Sequence, residues 1–269
     1  SMLASVQMQR VWHGSPHRFD KFSTEFMGKG EGAQAFGWGL YYASKREIAE
    51  SYRGTLTYRD MVRKFRNAMP DDASIEDASE WADSGDAPKD MARVIKALSA
   101  DDWLGFDYPA QALTALFKEP ANFDISKELA DAAKAMQGQL YEVEIPEDGD
   151  MLLWDKPLSE QPENVLAALR RGYDEQGGDY PDKSATPKTG REIYNDFRAL
   201  AGGFESMDQR AASEYLASLG IKGIKYLDGT SRNAGDGSYN YVVFDGADTQ
   251  IVDVKYSANG NIEGFFDRQ

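Results

Sequence analysis

The sequence predicts an α+β fold in which a block of short helices interrupts a sheet. Three observations carry this reading. Leu140-Tyr141-Glu142-Val143-Glu144-Ile145-Pro146 alternates strictly, with the two-residue period of a strand. Further strand-like runs lie near residues 6–12 and 40–43 at one end, and at 223–227, 239–244 and 250–256 at the other. Between Leu56 and Gly138 those signals vanish and apolar residues recur at helical spacing.

Taken in order, residues 6–12 end in Val11-Trp12 and deliver His13 at the end of a first strand. Phe19 and Phe22 read as core plugs of a short turn. Gly28 to Ala35 is too glycine-rich for regular structure and suits a loop over a ligand, but it lacks the Gly-Lys-Ser/Thr ending of a P-loop. Gly37-Trp38-Gly39-Leu40-Tyr41-Tyr42-Ala43 then brings two adjacent aromatics from a short strand. Ser44-Lys45-Arg46-Glu47 has the form of a capping box, opening a helix that carries Ile48 and Tyr52 on one face.

The helical block shows periodic positions at Met61, Val62 and Phe65, at Met91, Val94, Ile95 and Leu98, at Ala110 to Phe117 and at Ile125 to Met136. Breaks fall at Pro70, Gly85, Pro109 and Pro120. It carries no histidine and no glycine-rich loop, so it reads as a packing or target-recognition subdomain. After the strand at Leu140, the acidic residues Asp148, Asp150 and Asp155 offer either a cation site or a solvated loop. Helices are expected at 159–171, 191–200 and 209–219, the last stopped by Gly220. The span from Gly172 to Gly190, rich in Gly, Asp, Pro and Lys, reads as a mobile loop.

Composition sets bounds on function. With 269 residues, 41% hydrophobic and 12% aromatic, the chain can bury an ordinary core in one large domain or two small ones. The absence of cysteine excludes a disulfide framework, thiolate catalysis and thiolate-held zinc, and fits a reducing cytoplasm. No run reaches the roughly 18 apolar residues of a membrane span, and no secretion signal is evident, so a soluble cytoplasmic protein without membrane partners is expected.

A net charge of −15 argues against sequence-blind affinity for phosphate backbones. Residues 1–55 hold seven Lys/Arg against five Asp/Glu, a balance of +2, which leaves the remainder at −17. The one segment that is not acidic would suit a dinucleotide with two phosphate charges, although a stretch of this length also reaches such a balance by chance.

Only two histidines occur, both within Val11-Trp12-His13-Gly14-Ser15-Pro16-His17, so any imidazole chemistry belongs there. Pro16 disrupts helical spacing between them and no third ligand is evident, so no metal site is expected. Gly14 has no side chain over its N–H and C=O, which lets a ligand approach the backbone closely.

In order along the chain, His13-Gly14-Ser15, Phe36-Gly37-Trp38-Gly39-Leu40-Tyr41-Tyr42-Ala43 and Tyr52 resemble the NAD-binding signature of the diphtheria-toxin-like ADP-ribosyltransferases, which include the poly(ADP-ribose) polymerases. The whole chain is most similar to the ADP-ribosyltransferase domains of phage and prophage polyvalent proteins. Gly220 to Asp228, followed by Tyr239-Asn240-Tyr241-Val242-Val243-Phe244-Asp245, is typical of those.

The resemblance implies a split antiparallel β-sandwich of ADP-ribosyltransferase type, two small sheets with NAD between them, carrying a helical insertion. Residues 1–55 and 139–269 would form the NAD-binding core and 56–138 the inserted helical subdomain. Because the implied site draws on residues 13, 41, 52 and 240, both halves must complete one sheet system. A phage or prophage origin implies action in the cytoplasm of a bacterial host, as an encoded or delivered toxin-like effector.

The resemblance also implies the chemistry, which is transfer of a single ADP-ribose from NAD, as substrate, to a macromolecular acceptor, protein rather than nucleic acid, with release of nicotinamide. Departure of nicotinamide leaves positive charge on the ribose, and favouring that state over the ground state speeds the step. His13 would hydrogen-bond an adenosine ribose hydroxyl and Ser15 would contact the same ribose. Gly14 would pair its main chain with the nicotinamide carboxamide, and Tyr41 and Tyr52 would sandwich the nicotinamide ring.

Two departures from the family pattern stand out. Asn240 occupies the position of a glutamate that contacts the nicotinamide-ribose 2′-hydroxyl; the amide keeps hydrogen-bonding capacity but loses charge, which argues against polymer elongation. Glu31, in the glycine-rich loop, is the nearest candidate to substitute, or else it is simply an exposed loop residue. Ala49 stands where a serine usually supports the carboxamide, a loss of about 1 kcal/mol. Two further readings stay open: a catalytically silent NAD- or nucleotide-binding module of the same fold, and an interaction protein of a phage particle in which the helical block is the working surface. A tRNA 2′-phosphotransferase, which shares the fold family, suits the acidic balance poorly.

Overall fold

The computed structural model describes residues 7–15, 17–26, 34–54, 56–57, 109–135, 137–229 and 237–255. Glu31 and most of the glycine-rich loop, the expected helices at 61–65 and 91–98, most of the polar loop before Tyr239, and Tyr256 lie outside the described residues. Among those described, seven strands form one open sheet: β1 Met8–Ser15, β2 Leu40–Ala43, β3 Gln139–Pro146, β4 Met151–Leu153, β5 Gly223–Leu227, β6 Tyr239–Val243 and β7 Gln250–Lys255. Their order is β4-β5-β6-β2-β1-β3-β7. β2 pairs antiparallel with both β1 and β6, and β6 with β5, while β4 runs parallel to β5. The helices are α1 (residues 46–54), α2 Pro109–Lys118, α3 Lys127–Ala135, α4 Glu163–Glu175, α5 Gly190–Leu200 and α6 Gln209–Ser218.

The class is therefore α+β, with a mixed, mostly antiparallel sheet. Where the resemblance implied two small antiparallel sheets, the strand order shows one sheet of seven. The parallel β4–β5 pair was not foreseen, because three residues in an acidic loop carry too little periodicity to announce a strand. Parallel neighbours need a long crossover connection, and α4, α5 and α6 supply it here.

The described residues fall into two compact units: those within Ser1–His13, Phe19–Arg46 and Glu142–Asp253, and those within Gly14–Arg18, Glu47–Tyr141 and Val254–Gln269. In the first, Val165, Leu169, Ile193, Phe197 and Leu216 of the crossover helices pack with Leu152, Ile224, Tyr226 and Val242 of the sheet, all buried. In the second, α2 and α3 bury Leu113, Leu116, Leu129 and Ala133. There the Tyr141 hydroxyl, on a buried residue, donates to the His17 carbonyl at 2.8 Å.

The span 172–190, expected as a loop, is largely tied down. α4 extends to Glu175 and buries Tyr173, whose hydroxyl donates to Asp196 at 2.6 Å. Lys188 pairs with the same carboxylate, and Thr189 and Glu192 close a capping box at the start of α5. The acidic residues after β3 are structural too. Asp148 pairs with Lys225 and accepts from Gln9 and Tyr241, while Asp155 accepts from the Leu227 N–H at 2.7 Å. Burial pushes the Asp148 carboxyl up, and the bonds from Lys225, Gln9 and Tyr241 outweigh it, holding it below the usual carboxylate value.

One buried side chain secures the β4 edge. Gln161 accepts from the Leu153 N–H and donates to the carbonyls of Leu153 and Lys156, all within 2.9 Å. Gln161→Leu would take the side-chain acceptor from the Leu153 N–H, at about 1–3 kcal/mol, and leave the Leu153 and Lys156 carbonyls with their contacts to the Lys156 and Gly190 N–H groups. A urea unfolding series should show a clear fall in midpoint for this variant; an unchanged midpoint would mean that solvent or neighbouring groups replace the amide.

Candidate functional site

The expected site begins where β1 meets β2. Residues Trp12, Ala43 and Asn240 stand side by side across β1, β2 and β6 in register. The His-Gly motif, the Tyr-Tyr motif and the Tyr-Asn-Tyr motif, far apart in sequence, therefore occupy three adjacent strands. Gly37 makes the turn into β2 with φ of +100°, a conformation that side chains disfavour. Its carbonyl accepts from the Tyr41 hydroxyl at 2.7 Å, and the same hydroxyl accepts from the Phe36 N–H at 3.1 Å.

His13 and Tyr41 meet through the main chain. The imidazole Nδ1 lies 2.7 Å from the Tyr41 carbonyl oxygen, which can only accept, so Nδ1 carries the proton. The ring is set among aromatics: Phe22 at 5.0 Å and Tyr42 at 5.7 Å between centroids, with Phe19 at 6.4 Å. Burial pulls the His13 pKa below its ordinary value, while the bond to Tyr41 opposes that shift. The neutral form, with Nε2 as an acceptor, is the one that this environment favours.

Successive residues of a strand face opposite sides of the sheet. Tyr42 therefore joins His13 on one face, and Tyr41 turns to the other, where its ring meets Tyr226 edge-on at 6.2 Å. Tyr226 in turn stacks on Phe36 at 3.9 Å with planes 6° apart. The sequence reading grouped the His13 and Tyr41 side chains around one ligand; the backbone joins them, but their rings diverge. Phe19 and Phe22 are the aromatic plugs that were expected, and they line the imidazole as well.

On the Tyr41 face, Asn240 sits beside its register partner Tyr226. Its amide nitrogen donates to Asp228 Oδ1 at 2.9 Å, whereas its own Oδ1 is shielded from solvent with no hydrogen-bond partner. Asp228 was quoted only as part of a motif; the β5–β6 register, which no sequence spacing reveals, makes it a neighbour of Asn240.

Gly14, Ser15, Ala49 and Tyr52 belong to the second unit. A Cβ on Gly14 would come within 2.6 Å of the Ala49 carbonyl oxygen and 2.8 Å of Arg53 Cβ, so the glycine is required for close packing against α1. The backbone approach expected of a ligand is made here by a helix. Ala49 is buried, and so is Ser15, whose hydroxyl accepts from the His17 N–H at 3.1 Å. Tyr52 is 47% exposed.

The lowered His13 pKa fixes the sign of a pH effect. Unfolding returns the imidazole to an ordinary value near 6.5, so the unfolded chain binds the extra proton first as pH falls. Stability from this group is full above 6.5 and declines on acidification through the folded-state value. Urea midpoints at neutral pH and near pH 5 should fall less for His13→Gln than for the parent; equal falls would contradict a half-buried imidazole kept neutral. No protein-family model, curated protein or solved structure matches the chain.

Proposed function

We propose that the protein transfers a single ADP-ribose from NAD to a macromolecular acceptor, and that its sheet is a version of the ADP-ribosyltransferase split sandwich. The observation that supports this is that the His-Gly, Tyr-Tyr and Tyr-Asn-Tyr motifs occupy the adjacent strands β1, β2 and β6, with the His13 imidazole held on the Tyr41 carbonyl. In the reaction, the bond between ribose C1′ and the nicotinamide nitrogen breaks, and its electron pair leaves on neutral nicotinamide. A lone pair of the acceptor forms the new bond to C1′, and the acceptor's proton passes to solvent. Neutral His13, with its proton held by the Tyr41 carbonyl, accepts a ribose hydroxyl at Nε2. The Tyr41 ring turns to the other face of β2, so the part of Tyr41 that serves this reading is the carbonyl that holds the proton on Nδ1.

A second reading, a silent NAD- or nucleotide-binding module, is favoured by one observation: Asn240 brings no charge of its own to the cationic transition state. Labelled NAD incubated with the protein and bacterial lysate separates the two. Transfer predicts label in a protease-sensitive, nuclease-resistant fraction, with His13→Ala lowering it by about tenfold or more, the equivalent of one good hydrogen bond. NAD binding by calorimetry with no nicotinamide release would decide for the silent module.

A further inference from the structure

We propose that the turn between α5 and α6, residues 201–208, docks the protein acceptor, and that this acceptor offers an apolar pocket on a basic surface; this rests on the ADP-ribosyl transfer reading above. Phe204, at the tip of the turn, is 79% exposed. A lone exposed ring calls for no explanation by itself. This one is held out by a closed and strained backbone. Gly203 takes φ of +89° and Met207 φ of +49°, the second in a region that residues other than glycine enter at a cost. The Met207 N–H donates to the Gly203 carbonyl at 2.8 Å, the Ser206 hydroxyl donates to the Gly202 carbonyl, and Arg198 Nε, from α5, donates to the Met207 carbonyl at 2.9 Å. The backbone that carries the ring is thus ordered before any partner arrives, which removes one of the main costs of association. Aromatic side chains presented in this way are the common anchors of protein interfaces.

The charges beside the ring define the opposing surface. From Gly203 to Glu214 there are three carboxylates, Glu205, Asp208 and Glu214, and one cation, Arg210. Arg210 is committed, since it pairs with Glu214 at 2.8 Å and lies over the Trp38 ring at 5.2 Å. The Asp208 carboxylate accepts from the Arg210 and Ala211 N–H groups and so caps α6. Glu205, next to Phe204, is exposed and forms no ion pair among the described residues. Lys or Arg around an apolar pocket would meet this rim favourably, whereas a phosphate backbone or an acidic protein would be repelled. The turn is also tied to β2. The Tyr194 hydroxyl accepts from the Trp38 N–H at 3.1 Å and donates to the Gln209 carbonyl at 2.9 Å, joining the segment that enters β2 to the first residue of α6. An acceptor seated on Phe204 is held on an element braced to the segment that leads to Tyr41.

Phe204→Ser removes the anchor and keeps the backbone braces, so its melting temperature should stay within about 2 °C of the parent's. With labelled NAD and bacterial lysate, it should lower the initial rate of protein labelling by about tenfold or more, while nicotinamide release without lysate stays within about twofold. Phe204→Tyr should keep most of the labelling. Glu205→Lys should lower labelling by about threefold or more, and most at low salt. When the lysate is first divided on a cation exchanger, the acceptors whose labelling needs Phe204 should lie in the retained fraction. Parental labelling by Phe204→Ser overturns the docking site and leaves the transfer reading standing. An equal loss of labelling and of nicotinamide release in that variant also overturns it, because the effect would then lie at NAD rather than at the acceptor. Parental labelling by Glu205→Lys, or Phe204-dependent label confined to the unretained fraction, overturns the basic partner. A parent that releases nicotinamide but labels no protein refutes the protein acceptor and its dock together. A parent that releases no nicotinamide refutes the transfer reading, and the dock falls with it.

Discussion

The two-residue period of β2 governs this molecule. Tyr41 and Tyr42 are adjacent, so their rings must leave the strand on opposite sides, and each gathers a different aromatic group. Tyr42 completes the enclosure of His13 with Phe22 and Phe19. Tyr41 reaches the Tyr226–Phe36 stack on the face that also carries Asn240 and Asp228. A one-residue slip of β2 would exchange the two groups and leave the imidazole without its wall. The hydrogen bond from His13 to the Tyr41 carbonyl uses the one part of Tyr41 that belongs to neither face, its main chain.

This division separates two kinds of work. On the His13 face the chemistry is that of a desolvated, neutral base held in one tautomer, among rings that offer it no counter-charge. On the other face the Asn240 amide donates to the Asp228 carboxylate, and its Oδ1 is shielded from solvent without a hydrogen-bond partner. The polar cluster of Asp148, Lys225, Gln9 and Tyr241 links β1, β5 and β6 with the segment after β3, and it keeps the register on which both arrangements rely.

Much of this was legible in the sequence. The strands at 223–227 and 239–243, and the helices at 191–200 and 209–218, follow their periodicities to within a residue or two, because each buries a regular stripe such as Ile193, Tyr194 and Phe197. The rarity of histidine pointed to His13, and the Gly-Trp-Gly turn to β2. Contacts set by sheet register were not legible. Asp228 and Asn240 stand twelve residues apart in sequence, and only the β5–β6 ladder makes them partners. Gln161 looked like an ordinary polar residue, because its three bonds go to main-chain groups of a strand too short to recognise. Gly14 was read as a place for a ligand to approach the backbone, and its missing side chain makes room for the Ala49 carbonyl and Arg53.

The pairing of β2 with β6 joins segments that lie 195 residues apart, as at Ser44 and Tyr239. Such a closure comes late in folding, since a long loop must be ordered before the contact rewards it. During synthesis the ribosome would release β1 and β2 long before β6 exists, and for that interval an unpaired strand edge stands exposed to other chains. How long that edge stays open would thus set how much protein matures, independently of how stable the finished molecule is.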